Sequence, residues 1–182
     1  MSEVSKRYAT VAQGFDDRLA GIGPDQWSDP TPCTDWTVRD LVAHVIGTHR
    51  AIASRVSGSE AAEVDKDGDL IVAFGEARAS IEQALSDPDA SEKMMGAMFG
   101  EQTFESLVSR LLSSDTLVHT WDIARATNQD DHLDPDAVAK AAGFLGEIDE
   151  AIRRPGGFGP KITPPDGADE QTRLINFCGR AT

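Results

Sequence analysis

Residues 103–127 read T-F-E-S-L-V-S-R-L-L-S-S-D-T-L-V-H-T-W-D-I-A-R-A-T. Phe104, Val108 and Leu111 recur at spacings of four and three, the period of one face of an α-helix. Thr103 or Gln102 opens this helix and Asn128 suits its C-terminal cap. Further along the same face come Asp115, His119 and Asp122, again four and three apart, one above the other. Trp121 and Ile123 follow, so the helix is not simply turning toward water. A carboxylate and an imidazole on a core-facing stripe are costly unless paired or bound to a metal.

Similar helical patterns flank this one. Val4, Tyr8, Val11, Phe15 and Leu19 mark a helix over 4–20, stopped by Gly21 and Gly23-Pro24. A linker rich in Pro, Asp and Thr spans Asp25 to Asp35. Thr37 then opens a helix to about Val56, ending near Gly58; T-V-R-D is a capping-box arrangement with Asp40 at the acidic position. Ile71, Phe74, Ile81 and Leu85 mark a helix from about Leu70 to Leu85. Residues 91–100, containing M-M-G-A-M-F-G, are expected as an irregular loop over the core. Asp134-Pro135 is an N-cap followed by proline at the first helical position, opening a helix to about Arg154. Pro155 to Gly167 form an extended tail, and a short helix over Asp169 to Cys178 closes the chain. No repeat and no strand with period-two alternation is evident. The expected architecture is all-α: an antiparallel four-helix bundle with an additional short helix and a C-terminal tail. The whole of 1–182 is expected as a single domain, with the bundle at about 4–154 and the tail at 155–182.

Composition limits function. Seventeen Lys and Arg against 31 Asp and Glu give a formal charge of −14. The few cations are scattered, which disfavours nucleic acid and anionic membrane surfaces as partners. No run of about 18 apolar residues occurs, and the beginning M-S-E-V-S-K-R-Y lacks the apolar region of a signal peptide, so a cytoplasmic location is expected. A chain of this length can bury roughly 70% of its unfolded surface without disulfides. Cys33 and Cys178 are expected as free thiols.

Histidines repeat the anomaly of 115–122. Leu41, Val42, Val45 and Ile46 mark the buried side of the second helix, and His44 sits among them. Facing helices of a bundle could bring His44, Asp115 and His119 together as a three-ligand metal set with open positions. The plainer reading is an ordinary helical Asp115–His119 pair worth about 0.3 kcal/mol, with His44 bonded to a carboxylate. His49 lies about 140° round the helix from His44 and is expected to face elsewhere. His132, in D-D-H-L-D-P, is expected to be solvated.

The segments T-P-C-T-D-W-T-V-R-D-L-V-A-H (31–44) and D-T-L-V-H-T-W-D-I-A-R-A-T (115–127) resemble the DinB-like superfamily. The closer branch is the actinobacterial metal-binding group related to the N-terminal domain of mycothiol-dependent maleylpyruvate isomerase. The ending F-G-P…P-P-D…R-L-I-N-F-C-G-R resembles that group too. This resemblance implies an up-down-down-up bundle, often a homodimer, holding a divalent metal. Carried over, the ligands are His44, Asp115 and His119; the isomerase-like pattern has Glu at the position of Asp115. Zinc fits two imidazoles and a carboxylate, and nickel, manganese or iron suit the same donors. Asp122 either accepts a hydrogen bond from a ligating histidine or pairs with Arg39 or Arg125. Trp36 and Trp121 are read as packing residues, and Cys33 as a half-buried structural thiol.

The function expected from the resemblance is a metal-dependent transferase or isomerase. It would use a low-molecular-weight thiol such as mycothiol as nucleophile toward a small electrophile. The isomerase carries a further C-terminal domain where this chain has a short tail, which makes maleylpyruvate isomerisation itself the weaker expectation. A non-catalytic metal- or ligand-binding stress protein and a metal-free helical interaction module are the alternatives.

Overall fold

A computed structural model describes residues 2–33, 35–97, 100–153 and 157–182. The chain is predominantly α-helical. Helix α1 (Glu3–Ala20) starts where the Ser2 side chain accepts from Ser5 N, and it buries Tyr8, Val11, Ala12, Phe15 and Leu19. Helix α2 (Val38–Ser57) begins on a complete capping box, because Thr37 and Asp40 each accept the other's backbone N–H. It ends at Gly58, whose φ of 74° is open to glycine at little cost. Helix α3 (Leu70–Ser86) is capped by Asp69.

The periodic reading of α3 is off by one residue at its start. Leu70, Phe74, Ala77, Ile81 and Leu85 point inward, whereas Ile71, a quarter-turn round the axis, is 43% exposed.

The expected long helix over 103–127 forms as three helical stretches in succession. Thr103 caps Phe104–Leu107 by accepting from Ser106 N. A π-helical stretch, Val108–Leu112, follows and leads into α4 (Ser113–Thr127), which ends at the left-handed Asn128. The wide turn changes the phase of the stripe. Leu112 is fully buried and Leu111 only partly so, the reverse of the expectation from a regular helix.

Helix α1 packs on α3 and α4, and α2 also packs on α3 and α4, around one core that includes Phe15, Leu41, Ile46, Phe74 and Leu112. Phe15 and Phe74 meet at its centre with ring centroids 4.7 Å apart. A second apolar cluster lies behind α4. It joins Val11, Leu117 and Val118 to α5 (Pro135–Glu147) and α6 (Glu170–Phe177). Wedged between two cores, α4 is buried around nearly its whole circumference.

Two further expectations are corrected. The stretch 91–100 holds a hairpin, in which β1 (Met94–Ala97) pairs antiparallel with β2 (Gly100–Thr103), Met94 opposite Thr103 and Ala97 opposite Gly100. Strands of four residues are too short for alternation to show, and their pairing is carried by backbone groups. Met95 anchors the hairpin in the first core; residues 98 and 99 lie outside the described residues. The fifth helix also stops early. Asp134 caps α5 with Pro135 in its first turn, but α5 ends at Glu147 after Gly143 and Gly146, which weaken its final turns, and Ile148 leaves the helical region before a short turn at Asp149–Ile152. The expected end at Arg154 and the first two residues of the tail lie outside the described residues. No helix among the described residues is long and apolar enough to cross a membrane.

Candidate metal centre

Helices α2 and α4 bring three donor groups together. Nε2 of His44 lies 3.4 Å from Oδ1 of Asp115, and Nε2 of His119 lies 3.6 Å from that same oxygen. One donor atom from each of the three residues lies within 4.8 Å of the others. Zinc donors at about 2.0–2.1 Å in a tetrahedral arrangement would stand roughly 3.3 Å apart, close to the two separations from Oδ1 of Asp115. Oδ2 of Asp115 is buried without a hydrogen-bond partner among the described residues. A buried carboxylate oxygen normally has one, and a cation in this position would supply it.

Charge follows the same geometry. Burial pushes the Asp115 carboxyl upward, yet the His119 and His44 imidazoles outweigh it and hold the group below the ordinary carboxylate range. Burial alone would lower His119. The Asp115 and Asp122 carboxylates prevail and raise it to about 9. Both carboxylates thus favour the protonated imidazole of His119.

Asp122 is wholly buried and serves two donors. Nδ1 of His119 donates to its Oδ2 at 2.9 Å, which leaves the other ring nitrogen facing Asp115. The guanidinium of Arg180 donates to Oδ1 at 3.1 Å and Oδ2 at 2.8 Å. Burial opposes ionisation of Asp122, but His119 and Arg180 hold its carboxyl low. The arginines considered from sequence are engaged elsewhere: Arg39 stacks on Trp27 and donates to Lys66 O, while Arg125 pairs with Asp131 and stacks on Trp121. No local motif marks Arg180, 58 residues from its partner.

Cys33, His119 and Asp122 form a second cluster with metal-ligand spacing. Its carboxylate is gripped at both oxygens by Arg180, and burial raises the Cys33 thiol. The exposed Asp130–Asp131–His132 group is satisfied internally and by Arg125. His132 is exposed, its side chain 87% accessible. His49 is fully buried away from the three donors, against Tyr8 and Phe74, with Nδ1 2.8 Å from Val45 O.

A tight loop builds the mouth. Thr31 Oγ1 donates to Trp36 O at 2.9 Å, Trp36 N donates to Cys33 O, and Asp35 takes a φ of 70° to let the chain turn into α2. The Trp36 ring lies 4.6 Å from the His44 ring and 5.9 Å from that of His119. Outside His44 opens a recess of about 370 Å³ bordered by Asp35, Trp36, Asp40, Val64 and Lys66. His44 is the most accessible of the three donors, at 35%, and His119 the least, at 5%. The centre is thus anchored inside and open on one side. Trp36, read from sequence as packing alone, also forms a wall of that opening. A larger groove of about 790 Å³ beside α2 and α3 brings no comparable donor set together among the described residues.

Residues 8–124 match the family described as mycothiol maleylpyruvate isomerase N-terminal domain. The chain is also similar to two proteins of Mycobacterium tuberculosis, uncharacterized protein MT0763 of strain CDC 1551 / Oshkosh and uncharacterized protein Rv0738 of strain ATCC 25618 / H37Rv. Each is 30% identical over 164 residues, covering 89% of this chain and 89% of the relative. No solved structure matches significantly.

Proposed function

The chain belongs to the mycothiol maleylpyruvate isomerase N-terminal domain family, and from that premise we propose that it is a divalent-metal-dependent enzyme using a low-molecular-weight thiol of the mycothiol kind as nucleophile. The carrying observation is the convergence of His44 and His119 on Oδ1 of Asp115, whose other oxygen, Oδ2, is buried without a hydrogen-bond partner among the described residues. A bound divalent cation, zinc first among the candidates, lowers the pKa of a coordinating thiol and stabilises its thiolate. The protein side chains do the rest. Asp115 supplies the anionic donor and His119 a ring oriented by Asp122. His44 completes the set at the mouth, where Trp36 limits the approach of a ligand to one side. Such a thiolate would form an S–C bond to a small electrophile, either by addition, with the resulting anion taking a proton from solvent, or by displacement, with the leaving group departing with its electron pair.

The test has two stages. Elemental analysis of protein equilibrated with Zn²⁺ and dialysed should give about one ion per chain, and His119→Ala should carry none. Full occupancy in His119→Ala would sink the ligand assignment. The loaded protein is then offered mycothiol with a panel of electrophiles. Consumption of the thiol that needs both metal and protein supports catalysis, whereas metal binding without turnover assigns a binding protein instead.

A further inference from the structure

The last residues of the chain, well beyond the segment 8–124 that the family match covers, reach back to the centre. Arg180 is 5% exposed and grips both oxygens of Asp122. Its third guanidinium nitrogen donates to Cys178 O at 2.8 Å, and the group stacks over Phe158 at 5.1 Å. Its backbone is held as well: Arg180 N donates to Ile175 O, and Arg180 O accepts from Asn176 Nδ2 at 2.9 Å. Gly179 turns the chain with a φ of 81°, and a Cβ there would sit 2.8 Å from Pro160 O, so only glycine fits. Ile162 N donates to Asn176 O, which lays the tail across this turn.

We propose that Arg180 is a positioning residue of the metal centre, fixing the Asp122 carboxylate that orients His119, so that metal affinity depends on a clasp formed by the C-terminal segment. The inference rests on the metal centre proposed above. A carboxylate gripped at both oxygens by a planar guanidinium cannot rotate. Oδ2 of Asp122 therefore keeps one direction toward Nδ1 of His119, and the ring keeps its other nitrogen toward Asp115. Without Arg180, the buried carboxylate loses its fork and is free to turn away from the histidine or take up a proton.

The test uses full-length protein, Co²⁺ as the probe, and the variants Arg180→Ala, Arg180→Lys and Gly179→Ala. The last disturbs the clasp without changing any charge. Two quantities are read: Co²⁺ affinity from visible absorption, and the Nδ1–H signal of His119 by NMR in metal-free protein. Folding is checked by circular dichroism. Arg180→Ala and Gly179→Ala should weaken Co²⁺ binding about 10- to 100-fold and broaden the Nδ1–H signal, while Arg180→Lys recovers part of both. Unchanged affinity and an unchanged Nδ1–H signal in a folded variant would overturn the proposal and leave Arg180 as a plain structural ion pair. If the unaltered chain binds no Co²⁺, the metal reading fails by itself. The Nδ1–H signal then decides whether Arg180 orients His119. If Arg180→Ala does not fold, Arg180→Lys and Gly179→Ala carry the same two readouts.

Discussion

Nε2 of His44 stands 3.4 Å from Oδ1 of Asp115, a residue 71 positions further along the chain. The two lie on different helices, so their approach is a product of how α2 and α4 pack around Leu41, Val45 and Leu112. The core positions the centre from beneath, and the donor side chains can be replaced without removing those core residues.

Asp115 is the first such position. Asp115→Asn keeps shape and removes the anionic donor, so the folded variant should retain no ion after dialysis. Asp115→Glu keeps the anionic donor, one methylene further from the backbone, and should retain about one ion per chain. Elemental analysis of both variants checks this, and stable binding by Asp115→Asn would contradict it.

His49 sets an acid limit on stability. Burial lowers its imidazole from the ordinary 6.5 to about 4, against a smaller upward pull from its bond to Val45 O. The folded protein thus binds this proton less readily than the unfolded chain does. Stability from His49 is complete above about pH 6.5 and is lost as the pH falls from there toward about 4. The loss should be on the order of 3 kcal/mol. His49→Phe, set between Tyr8 and Phe74, should flatten this limb. Urea unfolding of both proteins at pH 7 and pH 4.5 measures it, and parallel losses would refute the assignment.

Both cysteines are free, and burial raises both thiols, that of Cys178 to about 12. The thiolate is the reactive form. Native protein at pH 7 should therefore alkylate slowly with iodoacetamide, Cys33 ahead of the more deeply buried Cys178, and both should react promptly in denaturant. Mass spectrometry reads the order directly. Rapid labelling of native Cys33 would show a thiolate that this environment does not favour.

Thr37 carries the start of α2. Thr37→Ala breaks the capping box and should cost about 1 kcal/mol, read as a lowered urea midpoint with unchanged slope. His44 lies two turns beyond this cap, so metal occupancy should survive the change.

How far the sequence could be read depended on the range of each interaction. Thr37 with Asp40, Gly58, Asn128 and Asp134-Pro135 act within a few residues, and each of those helix ends stands where their chemistry puts it. The polar interruption at Asp115, His119 and Asp122 was legible because it continues, at the same spacing, a stripe that Phe104, Val108 and Leu111 open with apolar side chains. Arg180 was not, since nothing beside it in the chain announces a carboxylate 58 residues away. Ile71 and Leu111 were misplaced for a different reason: periodicity gives spacing but not absolute phase, and a π turn changes the phase partway along. The hairpin at 94–103 is held by backbone pairing, to which side-chain patterns are nearly blind.

That π turn, Val108–Leu112, also bears on where the chain can change length. It houses one residue more than a regular helical path requires. A single deletion at Ser109 or Arg110 would close it to an ordinary turn and leave Phe104 and His119 facing as they do now. The same deletion between Asp115 and His119 would swing one donor out of line with the other. Two gaps of equal size, a few residues apart, thus have opposite meanings: one is absorbed by the backbone, the other dismantles the donor set.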